Sequence, residues 1–501
     1  MKTIITLTVT MILSAFLSGT AQEKTQDNLI LLPVQNDPTV SFRIWFKVGS
    51  QNDPAGKEGL AAITAAMVSD GSTKTNTYEQ VLDKLFPLAS GYSGSASTEM
   101  TIISGRTHKD NLNDYYPLLA EAILEPAFKQ EDLDRIKSQV LNQLENTLRY
   151  ASDEELGKAV LYNSIFDGTP YGHIAEGTVE AIKSITLDDI RKFYEQHYTR
   201  DNLSIGLGGG FDGALVNRLK KDLSTLPAGM PKSVPRPEPK ALNGIQVTIV
   251  EKDAPATAIS MGFPIDLLRG TKEWYALAIA NSWLGEHRNS SSHLYQVIRE
   301  GRGLNYGDYS YIENFPNGGR LQMPPQNVAR RKQIFEMWIR PVPHEARHFA
   351  LRAALRAFRN LVDGGMTESQ FSLTRGFLKK YVLHYAPTTM ERLGYAIDDQ
   401  FYVLNGSHLE RFRKMMDEVT LADVNAAVKK HWQYSNVKIA IVTKDAASLK
   451  DALMKDLPSP ITYSSPKSET ILQEDKDIST FPLGIKPENI RLMKVEDLFV
   501  K

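Results

Sequence analysis

The sequence has no cysteine among its 501 residues. This absence excludes a disulfide framework, a thiol nucleophile, a thiolate metal site and a cysteine-linked lipid anchor. Neither sign of charge is in excess, since 58 Lys and Arg residues balance 59 Asp and Glu residues. A nucleic-acid-binding protein usually carries a basic excess or patch, so we expect no nucleic-acid partner. The remaining composition, 42% hydrophobic and 23% charged, is typical of a globular protein.

Long apolar runs are also missing, with one exception at the N-terminus. The run from Ile4 to Leu17 follows Lys2 and precedes small residues that end at Ala21. This order predicts a cleaved signal peptide over residues 1–21, because the run is shorter than a membrane-spanning helix. We therefore expect an exported chain without a membrane segment after cleavage. The lack of cysteine favours the bacterial periplasm as its compartment.

Proline is concentrated in one stretch, with five prolines between Pro227 and Pro239. Such a stretch can form neither a helix nor a central strand, so it predicts a linker between two domains. The predicted parts are an N-terminal domain over residues 22–226, a linker over 227–240, a C-terminal domain over 241–457 and an extended tail over 458–501.

The two predicted domains repeat each other. The segment Ile185-Thr186-Leu187-Asp188-Asp189-Ile190 recurs 234 positions later as Val419-Thr420-Leu421-Ala422-Asp423-Val424. In each copy a threonine is placed to cap a helix, and an alternating strand follows. Helical periodicity predicts further helices over 112–124, 131–150 and 346–361. The pattern predicts two homologous α+β domains, each a mixed or antiparallel sheet packed by helices.

A resemblance to a known family begins in the first domain. The segment from Val48 to Ser50, followed by Gly59 to Ser72, resembles the insulinase (pitrilysin) family of zinc peptidases, which carry H-x-x-E-H on a helix in this frame. The stretch Thr169-Pro170-Tyr171-Gly172 matches another landmark of that family. Together with the duplication, the resemblance covers residues 29–457 and implies a clam-like half-chamber of two domains.

The zinc-site positions of that family are all changed here. In the family the two histidines bind zinc, the glutamate between them activates water, and a later glutamate completes the site. The matching positions in this sequence are Ala62, Ala65, Ala66 and Gln143. A methyl group can neither bind zinc nor carry a proton, and a neutral amide is a poor zinc ligand. We therefore expect no zinc bound by this chain and no catalytic residue of its own.

Other family features are kept. Arg299 and Tyr306 match a pair that, in the family, holds the substrate carbonyl, for which a fixed cation and a hydroxyl donor are suited. A short stretch matches the strand along the family's cleft edge, where an extended peptide pairs: Ser95, Ala96, Ser97 and Thr98. Some family members divide these parts between two chains. The resemblance implies a non-catalytic subunit that completes the peptide cleft of a zinc-bearing homologous partner, in a heterodimer or a larger assembly.

Two alternatives remain open. The string His344-Glu345-Ala346-Arg347-His348 has the H-E-x-x-H spacing of another metalloprotease class, in which His344 and His348 would bind zinc. The chain is also compatible with a peptide-binding structural protein that has no catalysis. The glycine run Gly206–Gly210 does not predict a phosphate loop, because no Lys-Ser or Lys-Thr follows it.

Overall fold

The computed structural model describes residues 28–501, so the predicted signal peptide lies outside the described residues. The strands of the described part are β1 Leu29–Pro33, β2 Thr39–Phe46, β3 Gly91–Ala96, β4 Thr101–His108, β5 Leu203–Gly209, β6 Gln246–Glu251, β7 Thr257–Ile265, β8 Asp308–Tyr311, β9 Gln333–Val342, β10 Lys438–Thr443 and β11 Ile490–Lys494.

The helices of the first half are α1 Leu60–Ser69, α2 Tyr78–Leu85, α3 Leu112–Leu124, α4 Gln130–Asn142, α5 Asp153–Phe166, α6 Val179–Ser184, α7 Leu187–His197 and α8 Gly213–Leu223. Those of the second half are α9 Lys272–Gly285, α10 Arg347–Gly364, α11 Glu368–Tyr381, α12 Thr389–Phe401, α13 His408–Glu418, α14 Leu421–His431, α15 Ala446–Met454 and α16 Glu469–Ser479. Two segments are π-helical, Gln143–Ala151 directly after α4 and Tyr295–Glu300. From residue 28 onward, no helix combines the length and the hydrophobicity that a membrane crossing requires.

The two sheets have the same topology. The first has the strand order β1-β5-β2-β4-β3, and the second has β6-β10-β7-β9-β8 with β11 added beside β6. In both sheets the first pair is parallel and the next pairs are antiparallel, as in β1–β5 and β2–β5. The predicted α+β class and the internal duplication are therefore confirmed at the level of strand order.

The repeated helix start also has the predicted geometry. Thr186 Oγ1 accepts the N–H of Asp189 at 3.3 Å, and the Asp189 carboxylate accepts the N–H of Thr186 at 2.8 Å. Thr420 and Asp423 make the same reciprocal bonds at 3.2 and 2.9 Å. Each pair satisfies two backbone donors that a helix N-terminus would otherwise leave unpaired.

One helix of each domain packs on the sheet of the other domain. Helix α5 of the N-terminal half packs on β7 and β10, and α12 of the C-terminal half packs on β2 and β5. The glycine run of β5 makes this contact possible. A Cβ at Gly206 would lie 3.1 Å from Ile397 Cδ1, and a Cβ at Gly208 would lie 3.0 Å from Thr389 Cγ2. These glycines allow the close approach of α12 rather than binding a phosphate.

Residues 227–240 contain no helix or strand and connect the two halves. The segment after residue 457 differs from the predicted extended tail, because it forms α16 and β11. The buried Arg302 explains part of this order, since it binds Glu474 and Asp475 of α16 at 2.9 and 2.8 Å. Such long-range ion pairs are not visible in the local pattern from which the tail was predicted.

Candidate functional site

Helix α1 carries the segment that resembles the family's zinc helix, and hydrogen bonds fix its start. Asp53 accepts the N–H groups of Gly59 and Ala61, each at 2.7 Å, and so caps the helix. Burial raises the pKa of this carboxyl above its ordinary value. Gly59 has φ +101°, and a Cβ there would lie 2.8 Å from the carbonyl oxygen of Glu176. Only glycine meets both conditions, which fixes where α1 begins.

The alanines of α1 offer no metal ligand. Ala65 is fully buried and packs on β3, where a Cβ at Gly94 would lie 2.5 Å from the Ala65 carbonyl oxygen. Ala62 and Ala66 are half-buried and one helical turn apart, as the family's two histidines would be. Because all three side chains are methyl groups, a zinc ion does not fit this site. Across residues 28–501, no group of three or more histidines and carboxylates is placed to hold a metal ion.

A cavity of about 580 Å³ lies between the two domains. Its wall brings together two sets that the sequence predicted separately, Gln143 and the stretch from Ser95 to Thr98. Gln143 begins the π-helical segment, which continues along the wall through Thr147, Leu148 and Ala151. The π-helix is rare and occurs frequently at functional sites.

The predicted peptide-pairing edge is only partly free. β3 is the last strand of its sheet, so Ser95 and Ala96 lie on an open edge. Ser97 N–H, however, donates to Met100 O at 2.7 Å, and the Ser97 carbonyl accepts from Ser50 at 3.0 Å. The Thr98 carbonyl accepts from Gln51 at 3.0 Å. Both backbone groups of Ser97 and the carbonyl of Thr98 are thus already used within the chain.

A long loop closes the other side of the cavity. The connection between β8 and β9 covers residues 312–332, whereas β3 and β4 of the N-terminal half are joined by residues 97–100 alone. The loop is fixed to the N-terminal domain, because Ser97 Oγ donates to Asn327 O at 3.3 Å and Arg331 Nε lies 2.6 Å from Glu99 Oε2. Irregular loops of this length are uncommon in a compact fold, and they are usually either functional or linker segments.

Arg299 and Tyr306 lie together but outside this cavity. Arg299 is on the π-helical turn 295–300, half-buried, and its guanidinium carbon is 5.6 Å from the centre of the Tyr306 ring. The Tyr306 side chain is 79% exposed. Neither residue lines the 580 Å³ cavity. The pair therefore faces outward, whereas the neighbouring Arg302 is buried against α16.

The H-E-x-x-H string is not arranged as a zinc site. His344 lies in a 3₁₀ turn before α10, and His348 lies within the helix. Both ring nitrogens of His344 are engaged, Nδ1 with Thr257 Oγ1 at 2.8 Å and Nε2 with Ala254 O at 3.0 Å. Burial lowers the pKa of His348 to about 4. Zinc binding by this pair would first have to break the hydrogen bonds that hold His344.

Glu336 lies on β9 and lines the cavity, and it was not among the residues predicted from the sequence. Only 4% of this residue is exposed, and burial raises the pKa of its carboxyl to about 7. A signal was present, because Glu336 is a lone carboxylate within the apolar run Ile334-Phe335-Glu336-Met337-Trp338. Glutamate is almost never fully buried unless it is paired, so its place in an apolar run is a signal that the sequence offers.

Fold and site together define a two-domain α+β protein with the scaffold of a zinc peptidase and none of its zinc-binding side chains. The chain belongs to the insulinase family. Residues 29–178 match the family described as Insulinase (Peptidase family M16), and residues 184–376 match the one described as Peptidase M16 inactive domain.

Some curated relatives of the chain are named as zinc proteases and one is named as a non-peptidase. A Helicobacter pylori protein called non-peptidase homolog YmxG is 23% identical over 462 residues, which is 87% of this chain and 98% of the relative. A Mycobacterium bovis protein called an uncharacterized zinc protease is 23% identical over 402 residues, covering 78% of this chain and 85% of the relative.

Solved structures share the fold. A peptidase M16 inactive domain from Pseudomonas fluorescens superposes with a TM-score of 0.71 at 24% identity, over 83% of this chain and 95% of its own. A chain of complex III from Candida albicans superposes with a TM-score of 0.64 at 15% identity, over 83% of this chain and 93% of its own.

Proposed function

We propose that this chain is a non-catalytic subunit that completes the peptide cleft of a zinc-bearing homologue. One combination of observations carries the proposal. Ala62 and Ala66 stand at the positions of the family's zinc-binding histidines, while Arg299 and Tyr306 stand together on the outside of the chain. A pair that served this chain's own cavity would be expected to line it. An outward-facing pair is suited to a site that another chain provides.

In this proposal the partner supplies the zinc ion and this chain supplies groups that bind the substrate. The Arg299 cation and the Tyr306 hydroxyl would hold the carbonyl oxygen of the scissile peptide bond. Both groups are donors, and they stabilise negative charge as it develops on that oxygen. The substrates are peptides that the two chains enclose. The signal peptide predicted over residues 1–21 supports a location outside the cytoplasm, in the bacterial periplasm.

The test uses the chain mixed with a purified zinc-bearing insulinase-family homologue from the same organism, and a quenched fluorescent peptide. Arg299→Ala should lower kcat of the complex by roughly 100-fold, and Tyr306→Phe should also lower it, because each removes a donor to the developing charge. Arg375→Ala is the matched control, since Arg375 is also a half-buried helical arginine stacked on an aromatic ring, that of Phe371 at 4.8 Å. Its complex should keep full activity.

Equal activity of the Arg299→Ala, Tyr306→Phe and unsubstituted complexes would refute the subunit role. A second function would then gain support, that of a peptide-binding protein without catalysis. The interdomain cavity favours this alternative, because it is formed without any contribution from Arg299 or Tyr306. An active zinc site at His344 and His348 gains no such support from the hydrogen bonds of His344.

A further inference from the structure

Glu336 is a buried carboxylate without a bonding partner. Its side chain lies on β9, between Gly262 of β7 and Tyr311 of β8 in the neighbouring strands. Within the described part of the chain its carboxylate forms no hydrogen bond or ion pair, and Oε1 is sealed from solvent. An unpaired charge in such a place lowers the stability of the fold, so a buried carboxylate without a partner usually has a function. Glu336 lines the 580 Å³ cavity, within the size range of ligand sites.

Lys158 is one of the cations that act on Glu336, and its ammonium group is engaged with other groups. The ammonium group of Lys158 donates to Phe315 O and lies 4.5 Å from the centre of the Trp338 ring.

Arg330 and Glu155 are the other charges that act on Glu336. Arg330 donates through Nε to Gln333 and covers the Tyr162 ring at 5.1 Å, and it forms no ion pair with Glu336. Glu155 adds a second negative charge and accepts the N–H of Gly319 at 3.0 Å. The carboxylate is thus surrounded by charges of both signs, yet none of the cations pairs with it.

We propose that the interdomain cavity binds peptides through a cationic group, with the Glu336 carboxylate as its partner. The group is an ammonium, either a lysine side chain or a free peptide N-terminus. The open edge at Ser95 and Ala96 shares the same cavity wall and is placed to hold the peptide backbone beside it. The 312–332 loop limits the cavity on the opposite side, so that a short segment rather than a folded protein is accommodated.

This inference rests on the proposed function only in taking a peptide as the ligand. Binding is measured on the isolated chain, without the zinc-bearing partner. A complex that fails to cleave peptides would therefore leave this inference untouched, and a failure to bind ammonium groups would leave the roles of Arg299 and Tyr306 untouched.

The test measures binding of three short peptides to the mature full chain by calorimetry at pH 8. The first peptide is N-acetylated with one central lysine, the second has norleucine in its place, and the third is the norleucine peptide with a free N-terminus. We expect the first or the third to bind at least about tenfold more tightly than the second, as a charged hydrogen bond to a buried partner would give. Which of the two binds more tightly identifies the source of the ammonium group.

Glu336→Gln should abolish this preference while keeping the shape of the wall. Glu286→Gln is the matched control, because Glu286 is also a buried carboxyl whose pKa burial raises to about 7, and it lines a separate cavity of about 80 Å³. That variant should keep the preference. Binding of no peptide, equal binding of all three, or an unchanged preference in Glu336→Gln would each overturn the proposal.

Discussion

At the scale of single residues, the molecule contains carboxyl groups that burial keeps close to neutral. Burial raises the pKa of Glu286, Glu336 and Asp399 to about 7 each. A group that holds its proton more tightly in the folded than in the unfolded chain lowers the stability of the fold as pH rises. For Glu336 this loss develops between its ordinary pKa of 4.5 and the folded value near 7. Well below pH 4.5 the Glu336 carboxyl is protonated in both states and does not change the stability of the fold.

Replacing Glu336 by Gln should therefore stabilise the protein at high pH. At pH 8 we expect a gain of roughly 1–3 kcal/mol in the free energy of unfolding, because the variant no longer buries a charge. At about pH 3 the gain should vanish, since the wild-type group is then protonated in both states. Denaturant unfolding at the two pH values measures the difference. A variant that is less stable than the wild type at pH 8 would show that Glu336 has a stabilising partner after all.

At the scale of elements, the contact between α12 and β5 shows what the sequence could and could not reveal. The caps at Thr186 and Thr420 were predictable, because all their partners lie within three residues. From the sequence, the glycines of β5 could only be compared with a phosphate loop, which they do not match. Their packing role was hidden, because the helix that approaches them begins about 180 positions later at Thr389.

The candidate site also has features that the sequence revealed and features that only the fold revealed. The replacement of the family's two zinc-binding histidines by Ala62 and Ala66, and of its glutamate base by Ala65, was readable from the sequence, because a family pattern fixes those positions. The role of the 312–332 loop was not, since its contacts with Ser97 and Glu99 connect residues more than 200 positions apart. The outward position of Tyr306 also required the fold, because local sequence does not show which surface a residue faces.

A methyl group on β5 should separate α12 from the sheet. A Cβ at Gly206 would lie 3.0 Å from the backbone oxygen of Arg43 and 3.1 Å from Ile397 Cδ1, so Gly206→Ala should cost about 1–3 kcal/mol of stability. Gly376→Ala is the control, because Gly376 lies inside α11 with open space around it. That variant should gain about 0.5–1 kcal/mol from helix propensity. Similar thermal unfolding shifts for both variants would contradict the close packing described for β5.

At the scale of the whole molecule, the C-terminal residues join the two domains. After β11 the chain crosses to the N-terminal half, where Leu498 and Phe499 are buried in that domain's core. Arg149 of the π-helical segment donates to Leu498 O at 3.2 Å, and Val179 N–H donates to Phe499 O at 2.8 Å. The tail thus supports the segment that also forms the cavity wall.

Ending the chain at Lys494 should weaken this support. The deletion removes the buried side chains of Val495, Leu498 and Phe499, and we expect a loss of about 3–6 kcal/mol in unfolding free energy. Hydrogen exchange of residues 143–151 should become faster at the same time. Removing the exposed Lys501 alone should change neither quantity. Unchanged exchange in the 143–151 segment after the longer deletion would show that the tail does not hold the cavity wall.

The central claim is that this chain carries no zinc site of its own, and its zinc content tests that claim most directly. Elemental analysis of the mature protein, purified alone and dialysed, should give well below one zinc ion per chain. This result follows from the methyl groups at Ala62, Ala65 and Ala66 and the neutral amide at Gln143. A content close to one zinc ion per chain, lost on His344→Ala, would contradict the account and assign the metal to the H-E-x-x-H string.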